Sequence, residues 1–512
     1  MKIANKDHLA TASMSYLLLP NLLFVAHWLR LEIALLIVVV LSWVVFKWIK
    51  QETDATYMKG QNAILLAAMA LGWTLFCGIG EVGFQQGDYY KHNLIYYDLI
   101  TRPWPIVYEN NEYSNPILCY YTAYYLPTAA AAKVIGGLAA ARYYSIVWGF
   151  LGVWIGFLWI YRLTGQYSIW IVVIFMLASG LDVITNAIFF LKYLYLEHDV
   201  KSLKIIAIEQ FFPDYQSSMR FSNKQLTHRL LFSSHFSDLQ WVPQHAIGVW
   251  VGGGWLFDEL FVKKRGLLIG WIGSLLIIWS PFVVIGFLPF ILFGFVRFPK
   301  DFFSFQNLIA GGALGIIGGI YFQSHLPQQY PFDWLFTSFN GLADWLGYFY
   351  FLVVEIMVIL VVLGWVELKY QVINNLKPLI WLSAISLVSA TWIVMGHFND
   401  FAMRTSLPGC YGLTLLLLYA LTNLIRMEIR WKTTSYFWLL LVLSTYEPLR
   451  EIAWTLVGTK SEVDHRSIEL APQGLYAGPD VSRFRQISPG WNNSIQYLGH
   501  QDSFFGMYLM KK

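Results

Sequence analysis

Residues 116–137 read P-I-L-C-Y-Y-T-A-Y-Y-L-P-T-A-A-A-A-K-V-I-G-G, and the way they are read decides the fold. The run is apolar enough to be taken for a membrane span. It also holds Pro116 and Pro127, Tyr120, Tyr121, Tyr124 and Tyr125, and Lys133. A proline inside a helix costs about 3 kcal/mol, and tyrosines collect where lipid meets water. We therefore read the run as a helix lying at the outer face of a membrane, not as a crossing. Every later segment takes its side from that reading.

The composition on either side of this run is that of a membrane protein. Hydrophobic residues make up 57% of the 512 and charged residues 13%. A soluble domain carries about 25% charge, so a soluble enzyme and a disordered chain are both excluded. Aromatic residues reach 18%, which suits rings at membrane interfaces. The net charge of +4 gives no case for nucleic acid. Cys77, Cys119 and Cys410 have neither disulfide-framework nor zinc spacing. The first apolar run lacks a small-residue cleavage site and is expected to be retained.

A span needs about 20 mostly apolar residues. Thirteen candidates meet that: 13–29, 31–49, 62–80, 142–162, 168–190, 242–262, 266–281, 282–298, 304–322, 346–366, 378–396, 407–426 and 434–449. The expected class is an all-α polytopic membrane protein of about 13 transmembrane helices. The pair meeting at Ser280-Pro281 is short on both sides and reads equally as a shallow hairpin. Continuous rather than alternating apolar runs exclude a β-barrel.

Lys and Arg orient the chain. With the N-terminus inside, the inner connections hold Lys2, Lys6, Lys47, Lys50, Lys59, Arg162, Lys263, Lys264, Arg265, Arg297, Lys300, Lys369, Lys377, Arg426, Arg430 and Lys432, while the short outer ones keep Arg30 and Arg404. The basic segment 191–241 dissents. Residues 1–61 are then an N-terminal helical hairpin, 62–449 a transmembrane core with outer loops 81–141 and 191–241, and 450–512 an outer tail. That tail is expected to form a small ordered cap, because it retains Trp491, Tyr497, Phe504 and Phe505.

Polar chemistry gathers on the outer side. The stretch E-V-G-F-Q-Q-G-D-Y-Y-K-H-N, Glu81 to Asn93, places Asp88 and His92 one helical turn apart. Such a pair can share a proton, bind a metal or grip a hydroxyl; a loop with satisfied polar groups is the plainer reading. The stretch H-F-S-D-L-Q-W-V-P-Q-H-A, His235 to Ala246, offers Asp238 and His245 as metal ligands, or as a helix cap and a structural histidine. In G-H-F-N-D-F-A-M-R-T-S-L-P, Gly396 to Pro408, Asn399 and Asp400 are turn formers. Arg404 there suits a phosphate, or else an ion pair with Asp400. Asp182 is the acid assigned to a span, and an acid so placed is a functional candidate. No phosphate-binding glycine loop, H-E-x-x-H or G-x-S-x-G is present.

The order of these features resembles the GT-C superfamily of integral-membrane glycosyltransferases, which includes the protein O-mannosyltransferases, the oligosaccharyltransferases and the lipid A aminoarabinose transferase. The likeness covers roughly 62–430. It runs through an outward span, an acidic outer loop with Asp88, a proline-containing interfacial helix and A-A-R-Y-Y-S-I-V-W-G-F-L-G-V-W-I-G-F-L-W-I-Y-R-L-T-G ending near Arg162. G-D-Y-Y-K-H-N, R-P-W-P, Q-W-V-P-Q-H-A and F-N-D-F-A-M-R-T-S-L-P look closest to bacterial multi-pass proteins of uncharacterised activity.

The resemblance implies a transferase of the bacterial inner membrane and cell envelope, working outside the cytoplasm. It would move a sugar from a polyprenyl-phosphate carrier to a glycan, lipid or protein acceptor. Asp88 would be the general base, and Arg404, with Lys91 or His92, would stabilise the departing phosphate. Asp400 and Asp182 join the substrate-binding candidates. The family often has a second acid, for which Glu81, Asp98, Asp182 and Asp238 are the candidates. Some members need a divalent cation and others do not. Mg or Mn would here draw on His92, Asp238 and His245 beside Asp88. Two other classes stand beside this one: a transporter or flippase of a lipid-linked sugar, and a non-catalytic subunit of a polysaccharide assembly system.

Overall fold

The computed structural model describes residues 7–50, 60–109, 114–165, 168–187, 230–327, 332–396, 399–430, 434–457, 468–469 and 497–512. The chain begins with α1 (His8–Trp28), α2 (Leu31–Lys50), α3 (Gly60–Phe76), α4 (Tyr89–Thr101), α5 (Leu126–Val134), α6 (Gly137–Thr164) and α7 (Ile169–Leu177). It continues with α8 (His235–Trp241), α9 (243–262), α10 (Ile269–Leu275), α11 (Pro281–Arg297), α12 (306–323) and α13 (342–370). It closes with α14 (Lys377–Ala390), α15 (Asp400–Thr405), α16 (Leu407–Arg426), α17 (Ser435–Leu443) and α18 (Tyr446–Val457). Two-residue strands add β1 (Ile117–Leu118), β2 (Asp333–Trp334), β3 (Ile393–Val394) and β4 (Leu498–Gly499).

Among the described residues five helices, α1, α2, α6, α13 and α16, are long and apolar enough to cross a membrane, and α3, α11 and α14 are shorter apolar helices. The protein is thus a helical membrane protein. Some expected spans are interrupted. The run 168–190 breaks at Ala178, where α7 ends, and 434–449 is divided between α17 and α18. In 266–280 only the seven residues of α10 are α-helical, and Pro281 already belongs to α11. Ser280 caps α11 by accepting from the Val283 N–H at 3.2 Å, and Pro281 takes the first helical position, so the Ser280-Pro281 pair starts a helix at the turn of a hairpin. Helix α18 runs through the boundary expected between core and tail. Residues 191–229 of the long loop, and Trp491, lie outside the described residues.

The chain forms two compact units. The first contains residues 1–162, 239–329 and 459–512. Within it α3 and α6 are antiparallel neighbours. Trp154 donates to the Ala63 carbonyl at 3.2 Å, and a Cβ on Gly80 would lie 2.7 Å from the Arg142 carbonyl. The chain between α3 and α6 therefore returns to the end it left. Its helix α5 has nine residues. At 1.5 Å per residue that is about 14 Å, under half of a bilayer core. Among the described residues, no helix between 116 and 136 is long enough to cross.

Aromatic packing holds this unit together. Tyr16 of α1 stacks on Trp148 of α6 at 4.0 Å and donates to its carbonyl at 2.9 Å. Gly152 allows the approach, because a Cβ there would lie 2.4 Å from the Tyr16 hydroxyl. One end of the unit is fixed by charge. Asp7 before α1, Arg162 late in α6, and Asp258, Glu259, Lys263 and Arg265 at the end of α9 form one ion-pair cluster. At another edge, β4 pairs with β1, and the Lys511 N–H donates to the Trp28 carbonyl at 2.8 Å.

The second unit contains residues 163–238 and 330–458. Helix α14 packs along α16, where Gly409 and Gly412 lie against Leu387 and Ser383. Asn423 of α16 donates to the Val372 carbonyl at 2.8 Å. Strands β2 and β3 pair antiparallel at the start of α13 and the end of α14.

Candidate functional site

The outer-loop motif of the first unit is pinned before it reaches Asp88. Gly78 and Gly80 take positive φ, and a Cβ on Gly78 would meet the Phe84 carbonyl oxygen at 2.6 Å, so the chain turns sharply after α3. Gln85 donates to the Gly78 carbonyl at 3.0 Å and accepts from Asn93 at 3.0 Å, and the Tyr89 hydroxyl donates to the Cys77 carbonyl at 2.9 Å. Glu81 accepts from the Ile468 N–H at 2.7 Å. These bonds fix the start of α4.

Asp88 precedes α4 with its side chain 33% exposed, and it is ion-paired to Lys91. Lys91 lines a narrow, open-mouthed pocket with Leu94, Ile95, Asp98, Tyr108, Leu118 and Tyr497. At helical spacing, positions 88, 91, 95 and 98 share one face. Asp98 is the buried acid of the pocket. Its carboxylate accepts from Arg102 Nε at 2.9 Å and from the Tyr108 hydroxyl at 2.8 Å. Burial raises its pKa, and Arg102 and Tyr108 offset part of that. Asp88 with Lys91 at the lip, and Asp98 in the wall, make a site with one solvated and one buried carboxyl.

His92 is directed elsewhere. Its Nε2 lies 3.0 Å from the Trp241 carbonyl and its Nδ1 lies 2.5 Å from the Tyr125 hydroxyl. The carbonyl can only accept, so Nε2 carries hydrogen, and Nδ1 of the neutral ring accepts a hydrogen bond from the Tyr125 hydroxyl. His245 is fully buried against Tyr121, with ring centroids 4.8 Å apart. The tyrosine-rich run thus contacts both His92 and His245. Asp238 belongs to the other unit. Among the described residues no group of three His, Cys, Asp or Glu side chains is arranged to hold a metal ion.

The second unit holds the remaining candidates. Arg404 is 9% exposed and bonds Asp400 at 2.9 Å across one turn. Asn399 takes a positive φ and caps α15 by accepting from the Ala402 N–H. Asp238 is buried on α8, and burial together with the Glu447 charge raises its pKa well above the usual range. Glu447 itself accepts from Ser237. Asp182 is buried and faces Glu355. His397 and Phe398 lie outside the described residues.

Asp182 is not alone within the apolar runs. Glu355 lies midway along α13 in a π-helical turn, 353–357, and is 3% exposed. Asp258 and Glu259 in α9, and Glu447 in α18, are buried too. The sequence signal for Glu355 is a single acid in F-L-V-V-E-I-M-V-I-L. Asp98 was legible as an acid of the outer loop. Its partner Tyr108 and the closing residue Tyr497 were not, since the latter arrives from the far end of the chain. In comparisons with family models, curated proteins and solved structures, the chain matches none.

Proposed function

We propose that this is a multi-pass glycosyltransferase of the GT-C type with about thirteen spans, taking a sugar from a polyprenyl-phosphate carrier at the outer face of a bacterial inner membrane. The observation that carries the reading is the Asp88–Lys91 pair at the lip of the α4 pocket, in a unit built from apolar helices. The clustering of Asp7, Arg162 and Lys263 supports the register in which all three are cytoplasmic.

In the proposed reaction an acceptor hydroxyl attacks the anomeric carbon. Asp88 takes the hydroxyl proton, the bond to the carrier phosphate breaks, and Lys91 meets the charge that develops on the leaving phosphate. Direct displacement inverts the anomeric centre. Tyr108 and Tyr497 supply hydroxyls and ring faces suited to a sugar.

The test uses protein purified into lipid nanodiscs with polyprenyl-phosphate pentoses and hexoses and a lipid acceptor. Release of polyprenyl phosphate is the readout. Asp88→Asn is expected to lower turnover by about 10²–10⁴-fold with an unchanged melting temperature. A variant that turns over like the wild type overturns the assignment.

A second reading, a transporter of a lipid-linked sugar, draws support from Glu355 and Asp182 inside apolar helices. It predicts movement of intact donor across vesicles without release of polyprenyl phosphate.

A further inference from the structure

Two buried groups of acids differ in charge balance. In the first unit Asp7, Asp258 and Glu259 face Arg162, Lys263 and Arg265, and every acid has a direct ion pair. That arrangement needs no further cation.

In the second unit Asp182 and Glu355 face one another. Neither Glu355 oxygen reaches a donor in hydrogen-bond geometry, although the Leu181 N–H and the Asp182 carboxyl lie beside it. From the surrounding elements Glu447 and the Cys410 thiol also face Glu355. Arg450 and Tyr446 face Asp182, and Arg450 is shared with Glu447 and Glu451. One guanidinium therefore serves several acids. Two adjacent carboxylates in an apolar setting cannot both stay ionised without a bound cation.

The space on one side of Glu355 leaves no room for a metal ion. A Cβ on Gly180 would lie 1.7 Å from Glu355 Oε2, so the carboxyl presses on bare backbone. The π-turn at 353–357 is the kind of local helix distortion found at functional sites.

We propose that Asp182 and Glu355 form a proton-binding site within the apolar helices of the second unit, holding one exchangeable proton between the two carboxyls. Uptake adds the proton to one carboxylate oxygen and release removes it. No bond to carbon changes and no electron moves. The site is independent of the Asp88 step, so either can fail without the other.

The test is infrared spectroscopy of the full chain reconstituted in lipid at neutral pH. The wild type is expected to show a protonated-carboxyl C=O band that shifts in D₂O. Glu355→Gln should remove one carboxyl's worth of that band, because Asp182 then loses its like-charged neighbour and ionises beside Arg450, and Asp182→Asn should shift the band by changing the group that faces Glu355. The D₂O shift is read on the wild type alone, so it does not depend on a variant folding. A wild-type band that is absent or unmoved by D₂O, or whose intensity Glu355→Gln leaves unchanged, overturns the proposal.

Discussion

Arg162 holds Asp258 through two hydrogen bonds, 2.9 Å from Nε and 3.1 Å from Nη2, and reaches Asp7 with Nη1 at 2.7 Å. One guanidinium thereby ties α6 to α9 and to the start of α1. Asp258 is fully buried, and without Arg162 it must share Lys263 with Asp7 and Glu259, so the buried acids outnumber the cations that reach them. Arg162→Ala should destabilise the protein by about 3–5 kcal/mol, read as a drop in unfolding midpoint in detergent. Arg162→Lys keeps the charge but not the fork, and should fall between. An Arg162→Ala midpoint equal to the wild type would show that the cluster is not structural.

The same cluster makes stability depend on pH at the acid end. Burial alone raises the Asp7 carboxyl, but Arg162, Lys263 and the Ala10 N–H outweigh it and hold it below the ordinary 3.8. A depressed folded value means that the unfolded chain takes up the proton first as pH falls. The contribution of Asp7 is fully present above about pH 5 and disappears as pH drops through the folded value. Asp7→Asn should therefore lower the midpoint at pH 7 and have a progressively smaller effect towards pH 3. A deficit that does not change with pH would refute the linkage.

What the sequence revealed depended on range. Helices α1, α2, α6 and α13 were legible because their apolar runs are long and local. The Asp400–Arg404 pair and the Asn399 cap were legible because they span one turn. Lys263 and Arg162 were readable as markers of an inner face, but their shared partner Asp7 meets them only through the packing of α1, α6 and α9. His92 looked like a partner for Asp88 on helical spacing; its ring instead engages Tyr125 and Trp241, residues that no local pattern could select. Glu355 was visible as one acid in an apolar run, yet its importance rests on the approach of Gly180 and Asp182 from a distant segment.

Lys91 separates binding from chemistry at the α4 pocket. It is paired with Asp88 and lines the cavity, and the proposed reaction asks it to meet charge that appears on the leaving phosphate. Removing a group that acts mainly in the transition state lowers kcat more than it raises KM. Lys91→Gln should therefore reduce kcat by about 10-fold or more while KM for the donor changes little, and Lys91→Arg should restore part of the loss. A variant with raised KM and unchanged kcat would assign Lys91 to donor binding alone.

Gly180 and Glu355 give the sharpest packing test. A methyl group at 180 would sit 1.7 Å from Glu355 Oε2 and 2.7 Å from its Cδ, so Gly180→Ala must move the acid or the backbone. Overpacking of this kind costs about 1–3 kcal/mol. Shortening the acid in Glu355→Ala removes the obstacle, and the double variant should then be more stable than the sum of the single changes allows. A coupling of about 0.5–3 kcal/mol is the range for residues in contact. Urea or thermal unfolding of the four proteins in one detergent closes the cycle. Strict additivity would mean that Glu355 does not rest against Gly180, and the proton-binding pair would lose the confinement that argues against a larger cation.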